Sequence, residues 1–210
     1  MKIKRIDFDV NGTLFNDTPQ LLEALSCIFD HFGKPRMPLR ELRQQFTQPW
    51  TKMYREAGIT EEMASHAKLY ELYNSAYQKQ PPPAPSLGVR EVLHWLYRRG
   101  IPATIVSTQQ NDITLPLLDQ HALNLLFSRV EGGVHDKAET ILALCSEMDV
   151  SPQEVAYVGD QDSDMRFARA AGCIAVAYLG GVHTKTKLAK AGAQYFLKDF
   201  RELKTLPIIK

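Results

Sequence analysis

The sequence has few cysteines and no long hydrophobic run, and these two absences exclude several classes of protein. Its three cysteines, Cys27, Cys145 and Cys173, are single and widely spaced. That spacing is unlike a disulfide framework or a zinc site and favours buried thiols in a reducing compartment. No apolar run approaches the roughly 20 residues of a membrane span, and the opening MKIKRIDFDV has no signal-peptide core. We therefore expect a cytoplasmic protein with no membrane partner.

An excess of charge is also missing. The chain has 25 lysines and arginines against 24 aspartates and glutamates, and the resulting net charge of +1 is too small to attract nucleic acid. We expect no nucleic-acid partner. The 44% of hydrophobic residues is ordinary for a globular protein. A length of 210 residues is enough for one full core and an accessory lobe.

A proline-rich segment, P-P-P-A-P at 81–85, divides the chain into two patterns. Before it, residues 3–9 form a predicted strand and residues 18–80 have helical spacing, with breaks at 33, 47–49 and 58. After it, strands and helices alternate to the end. Such alternation predicts an α/β fold, a doubly wound parallel sheet covered on both faces, with an inserted helical lobe. Ligands of such sheets bind beyond the carboxyl ends of the strands.

Four segments with chemically suited side chains lie at predicted strand ends or helix starts. The first is D-V-N-G-T-L at 9–14, after the first strand; the second is Ser107-Thr108, where the strand at 101–107 ends. The third is Lys137, at the start of a predicted helix, and the fourth is G-D-Q-D-S-D at 159–164. Since the carboxyl ends of parallel strands meet at one edge, we expect the four segments to converge.

In this order the segments resemble the motifs of the haloacid dehalogenase (HAD) superfamily of phosphohydrolases, which opens with D-x-D-G-T-L. The resemblance covers the whole chain. It implies a core domain of residues 1–15 plus 85–210 and an α-helical cap of residues 16–84. It also implies Mg²⁺-dependent hydrolysis of a small phosphorylated metabolite through an aspartyl phosphate. We expect a monomer or homodimer.

The resemblance assigns a role to each motif residue. Asp9 would be the nucleophile, and Lys137 would neutralise the nucleophile and the phosphoryl group. The residues expected to hold the substrate are Thr13, Ser107, Thr108 and Lys137. The residues expected at the Mg²⁺ site are Asp9, Asp160, Asp164 and the backbone carbonyl of Asn11, with Asp164 in the second shell or paired with Lys137.

Asn11 departs from the family pattern, because an amide cannot transfer a proton as the usual second aspartate does. Such transfer contributes about 10²–10⁴-fold in rate, so Asn11→Asp is expected to raise turnover of alkyl phosphates about tenfold or more. A phosphoglycolate-phosphatase-like group also has D-x-N-G-T-L, and the segments that resemble it are F-T-Q-P at 46–49, Tyr54-Arg55 and G-G-V-H at 180–183. A hydroxyl, a water or His183 would replace the missing acid; alternatively, His183 is a solvated loop residue.

Three other interpretations are weighed against the phosphatase. A carbon–phosphorus hydrolase would use a cap lysine such as Lys52 as a Schiff base, and a haloacid dehalogenase would have a different first motif. A phosphate-ester-binding protein with little turnover would follow directly from Asn11. A register with Asp7 as the nucleophile is rejected, because the family needs threonine four residues later and Asn11 stands there. The polar and aromatic candidates of the cap are Arg43, Gln45, Trp50, Lys52 and Tyr54.

Overall fold

The computed structural model describes residues 2–46 and 49–209, and its first half consists of one strand of the main sheet and four helices that lie between two short paired strands. β1 (Arg5–Phe8) ends at the first motif. The next elements are β2 (Phe15–Asn16), α1 (Thr18–His31), α2 (Leu39–Gln45), α3 (Thr51–Glu56), α4 (His66–Gln78) and β3 (Ala84–Pro85). β2 pairs antiparallel with β3, so the chain leaves and re-enters the sheet region at one place. We call α1 to α4 the helical lobe; no strand interrupts it in the described parts of 18–80.

The second half alternates helices and strands as predicted. Its elements are α5 (Val89–Arg98), β4 (Ala103–Val106), α6 (Asn111–Gln120), β5 (Arg129–Glu131), α7 (Lys137–Glu147), β6 (Val155–Gly159), α8 (Asp162–Ala170), β7 (Ile174–Tyr178), α9 (Lys185–Lys190) and β8 (Tyr195–Leu197). A 3₁₀ segment, Phe200–Thr205, follows. α9 was not predicted, and α4 begins at His66 instead of near residue 60.

The six strands of the main sheet are parallel and lie in the order β5-β4-β1-β6-β7-β8. β1 is therefore an interior strand between β4 and β6. Helices α5 and α6 pack on one face, and α7, α8 and α9 pack on the other. The prediction of a doubly wound parallel sheet with the Asp9 strand near its centre is confirmed. None of the helices in the described part of the chain is both long and apolar enough to cross a membrane.

β1 carries a buried ion pair that explains Asp7, for which the sequence offered no role. Ile6 and Phe8 face the α5 side of the sheet. Arg5 and Asp7 alternate with them and are fully buried. Arg5 Nε and Nη2 donate to the two carboxylate oxygens of Asp7 at 2.8 and 2.9 Å, and the Thr104 hydroxyl also donates to Asp7. Asp7 is thus a structural partner of Arg5.

The helical lobe has its own apolar core. Some of the polar and aromatic candidates named from the sequence belong to this core. Tyr54 is buried there, with the ring of Trp50 edge-on at 5.5 Å. Lys52 is more than half exposed and lies 3.7 Å from Glu56. The division into a core domain of 1–15 plus 85–210 and a cap of 16–84 stays a prediction.

Candidate active site

Three adjacent strands bring the predicted site residues to one edge of the sheet. Asp9 follows β1, Ser107 follows β4 and Asp160 follows β6, and these strands are neighbours. Lys137 reaches the same place from the first turn of α7, and Asp164 from the first turn of α8. All five side chains are buried. The expected convergence of the four motifs is therefore present.

Asp9 is held by two donors on one carboxylate oxygen. Ser107 Oγ donates to Asp9 Oδ1 at 2.7 Å, and Lys137 Nζ lies 2.9 Å from the same oxygen. Lys137 Nζ also donates to Asp164 Oδ1 at 2.7 Å. Burial works against the Lys137 ammonium, but the charges of Asp164 and Asp9 outweigh it and raise the pKa of Lys137 well above its usual value. Lys137 is thus a fixed positive charge beside Asp9.

The site contains more negative than positive charge. Carboxylate oxygens of Asp9, Asp160 and Asp164 lie within 4.8 Å of one another, and Lys137 neutralises only one of the three charges. Burial, followed by the charges of Asp164 and Asp9, raises the pKa of Asp160 well above its ordinary value. A divalent cation would relieve this crowding, and a set of oxygen ligands is what Mg²⁺ prefers. The residues therefore fit the expected ion.

Asp160 is positioned by a tight backbone cradle. Thr13 Oγ1 donates to its Oδ1 at 3.0 Å, and the Val182 N–H donates to its Oδ2 at 2.8 Å. A Cβ on Gly12 or on Gly181 would overlap the Asp160 carboxyl group. Gly12 also has φ +70°, a conformation that favours glycine. The first motif and the 180–183 loop together shape the space for this carboxylate.

Asn11 contacts a carboxylate that the motif comparison did not single out. Its Nδ2 donates to Asp17 Oδ2 at 2.6 Å, and Tyr77 OH donates to the same oxygen at 2.9 Å. Burial raises the pKa of Asp17 to about 6, against the hydrogen bonds of Tyr77, Asn11 and the Gly12 N–H. Asp17 precedes α1 at its N-cap position, where an aspartate commonly caps a helix, yet its side chain makes no capping hydrogen bond.

The interpretation of His183 as a solvated loop residue is wrong. Its ring is buried, Nδ1 accepts from the Asp162 N–H at 2.8 Å, and Nε2 lies 2.7 Å from the Phe46 carbonyl. Burial, followed by the charge of Lys187, lowers the pKa of His183 to about 4. Since both ring nitrogens are engaged, His183 joins the helical lobe to the sheet edge and is poorly suited to replace the missing acid.

Two other expectations have a mixed outcome. Thr108 is exposed, in contrast to the buried Ser107 beside it. Of the F-T-Q-P segment at 46–49, Phe46 packs in the helical lobe, whereas Thr47 and Gln48 lie outside the described residues.

A cavity of about 280 Å³ adjoins Asn11 between the end of α4, the prolines at 81–83 and α6. Much of its polar lining consists of amides and one carboxylate, from Gln78, Gln80, Gln109, Gln120 and Asp112. The rest of the lining is largely apolar, so the cavity suits a small organic group.

The family model described as "Haloacid dehalogenase-like hydrolase" matches residues 6–178, which include the four motif segments at 9–14, 107–108, 137 and 159–164. The chain belongs to the haloacid dehalogenase-like hydrolase family. A phosphoglycolate phosphatase from Chromobacterium violaceum is 29% identical over 188 residues, covering 83% of this chain and 84% of the relative. One from Mannheimia succiniciproducens is 26% identical, covering 96% and 97%.

Solved structures agree with the fold of this haloacid dehalogenase-like hydrolase. A hydrolase of the haloacid dehalogenase-like family from Streptococcus pneumoniae superposes with a TM-score of 0.83 at 19% identity, covering 97% of each chain. The family match, the relatives that are named phosphatases and the buried carboxylate cluster together identify this chain as a phosphatase.

Proposed function

We propose that this phosphatase uses Mg²⁺ and an aspartyl phosphate on Asp9 to hydrolyse a small phosphate monoester. The observation that carries the proposal is the contact set around Asp9. One oxygen of its carboxylate touches both Ser107 and Lys137, and two further carboxylates lie within reach of one shared ion. Nucleophile, anion-binding donors and metal ligands are the parts that phosphoryl transfer needs.

In the proposed reaction the Asp9 carboxylate attacks phosphorus, the bond from phosphorus to the alcohol oxygen breaks, and that oxygen takes up a proton from a water molecule. A second water molecule then attacks the aspartyl phosphate, loses a proton to solvent, and releases inorganic phosphate and free Asp9. Ser107 and Lys137 donate to the phosphoryl oxygens, and burial excludes bulk water. Asp9, Asp160 and the Asn11 carbonyl would hold Mg²⁺, which when bound would supply charge neutralisation at the phosphoryl group. Asp164 holds Lys137 in place.

The substrate is proposed to be a small phosphorylated metabolite. The relatives named above are phosphoglycolate phosphatases, so phosphoglycolate belongs in any test. The cavity of about 280 Å³ beside Asn11 supports a small alcohol group. Roles for Thr13 and Thr108 toward the substrate, a cytoplasmic location and a monomeric or homodimeric state stay predictions from the sequence.

The test is a panel of small phosphate esters, including phosphoglycolate and glycerol phosphates, measured with and without Mg²⁺. Wild-type protein should release phosphate only with the metal, and Asp9→Asn should release none. Lys198→Gln, an exposed lysine in the segment after β8, is the matched control and should keep full activity. Release of phosphate by Asp9→Asn at the wild-type rate would refute the proposal.

Two alternatives are measured alongside. A carbon–phosphorus hydrolase would release phosphate from a phosphonate aldehyde and lose this activity in Lys52→Gln. The exposed position of Lys52 beside Glu56 does not favour it, because a Schiff-base lysine needs desolvation. A binding protein with little turnover would bind phosphate esters in calorimetry without releasing phosphate.

A further inference from the structure

The buried carboxylate of Asp17 is the partner of the unusual Asn11. Asp17 is 3% exposed, and two side chains donate to one of its oxygens: Asn11 Nδ2 at 2.6 Å and Tyr77 OH at 2.9 Å. The Gly12 backbone N–H is a further donor to Asp17. A carboxylate can only accept hydrogen bonds. The three donors therefore satisfy the hydrogen-bonding needs of the buried Asp17 carboxylate.

These contacts determine how the Asn11 amide is turned. The NH₂ group must face Asp17, because the carboxylate offers no hydrogen to an amide oxygen. The amide oxygen therefore points elsewhere and is free for a donor. A hydrogen bond to a charged acceptor is stronger than one between neutral groups. The amide is consequently held in one orientation, next to the loop that follows Asp9.

The same carboxylate joins the helical lobe to this loop. Asp17 lies where the chain enters the lobe, directly after β2 and before α1. Tyr77 lies in the last turn of α4, just before the chain returns through β3. Asp17 has the usual place of a helix cap but makes no capping bond. Through its side chain, Asp17 links the segment that enters the helical lobe and the end of α4, where the chain leaves the lobe, to Asn11.

We propose that Asp17 and Tyr77 are positioning residues, which set the Asn11 amide for the phosphatase reaction only when the helical lobe is in place. Asn11 and Asp17 form an amide–carboxylate pair in which the carboxylate lies six residues after its usual motif position. The proposal rests on the proposed function, since it concerns turnover at Asp9.

This pairing changes what Asn11→Asp should do. In the wild-type background it would place a second carboxylate at hydrogen-bond distance from Asp17, and like charges at that distance repel. We expect kcat to fall about tenfold, not to rise, with a lower melting temperature. Adding Asp17→Asn restores an amide–carboxylate pair of reversed order and should recover about tenfold in kcat over Asn11→Asp.

Tyr77 tests the link to the helical lobe without changing a motif residue. Tyr77→Phe should lower kcat several-fold with little change in KM, because the hydroxyl donates to Asp17 and accepts from Asn11 Nδ2 at 3.4 Å but does not contact the cluster at Asp9. Tyr73→Phe is the control: it removes a hydroxyl from the same helix, on a ring stacked 5.7 Å from that of Tyr77. It should keep wild-type kcat.

The experiment is a double-mutant cycle of Asn11→Asp and Asp17→Asn, read by kcat, KM and melting temperature, with the two tyrosine variants beside it. Recovery of the melting temperature without recovery of kcat would mean that Asn11 and Asp17 form a purely structural pair, and it would overturn the proposal. Additive effects of the two substitutions on kcat would overturn it as well.

If Asn11→Asp does not fold, the two tyrosine variants decide: equal kcat values in Tyr77→Phe and Tyr73→Phe would overturn the proposal. An inactive wild type would defeat the proposed function as well, whereas an active wild type without recovery defeats this proposal alone.

Discussion

The contacts of an aspartate decide what its carboxylate can do, as Asp7 and Asp9 illustrate on one strand. Asp7 is held by Arg5 and Thr104 inside the sheet, while Asp9, two residues later, faces Ser107 and Lys137 at the strand end. The D-x-D spacing alone fits Asp7, because Asn11 stands where Asp9 would need its second aspartate. The position of Thr13 favours Asp9, and Thr13 contacts Asp160 in the carboxylate cluster that contains Asp9.

Asp7→Asn should lower the free energy of unfolding by about 3 kcal/mol, because it leaves the fully buried Arg5 guanidinium without its counter-charge. Urea unfolding measures this. The double variant Arg5→Met/Asp7→Leu removes both charges and should recover most of the loss. A single variant within about 0.5 kcal/mol of wild type would show that the ion pair contributes little.

At the scale of elements, local sequence patterns predicted the helices and strands that have a local signal. They did not predict the segments whose burial depends on residues far away in the chain. α7 begins at Lys137 as predicted, with the Asp136 side chain accepting from the N–H groups of Ala138 and Glu139. The segment that contains His183 and leads into α9 was misread. Its burial comes from Phe46, 137 residues earlier in the chain, and no sequence periodicity records such a contact.

His183 should make stability depend on pH. Its pKa is about 4 in the folded protein and 6.5 ordinarily, so below pH 6.5 the unfolded chain binds a proton that the folded protein does not. The free energy of unfolding should therefore fall as pH drops from 6.5 to 4, by at most about 3 kcal/mol.

The measurement is urea unfolding of wild type and His183→Gln at pH 7, 5.5 and 4. Subtracting the two removes the shared contribution of the other titrating groups, including Asp17, whose raised pKa acts in the opposite direction. A difference that does not change with pH would contradict the expectation.

The Gly181 turn gives a second test at this scale. In Gly181→Ala the new methyl group would overlap the Asp160 carboxyl group, whereas in Gly180→Ala it would meet the Tyr178 ring. We expect Gly181→Ala to weaken Mg²⁺ affinity about 10–100-fold through displacement of Asp160. Gly180→Ala should leave it near wild type. Calorimetric titration compares the two, and equal affinities would argue against Asp160 as a ligand.

For the whole molecule, the sheet followed from the sequence more readily than the contacts between the sheet and the helical lobe. Strand–helix alternation allows few topologies, since parallel crossovers are right-handed, and the motifs lie where strands end. The bonds of Asp17 with Tyr77 and of His183 with Phe46 depend on how the lobe sits against the sheet edge. That arrangement comes from packing between segments far apart in the chain.

Metal binding should reverse the stability order of wild type and Asp160→Asn. Without Mg²⁺ the variant relieves the crowding of three carboxylates, and its amide can still donate to Thr13 and accept from the Val182 N–H. Its melting temperature should equal or exceed that of wild type. With Mg²⁺ at about 100 times its Kd, wild type should gain about 2.7 kcal/mol, or roughly 5–10 °C in Tm.

Thermal unfolding at increasing Mg²⁺ concentration, with Ca²⁺ and NaCl series at matched ionic strength, measures this crossing. Asp160→Asn should shift no more with Mg²⁺ than with NaCl, because the ion has lost a charged ligand. A similar rise in both proteins would place the ion elsewhere. If the wild-type Tm does not change with Mg²⁺ concentration, Lys137 alone neutralises the charge of the carboxylates. The proposed metal site would then be wrong.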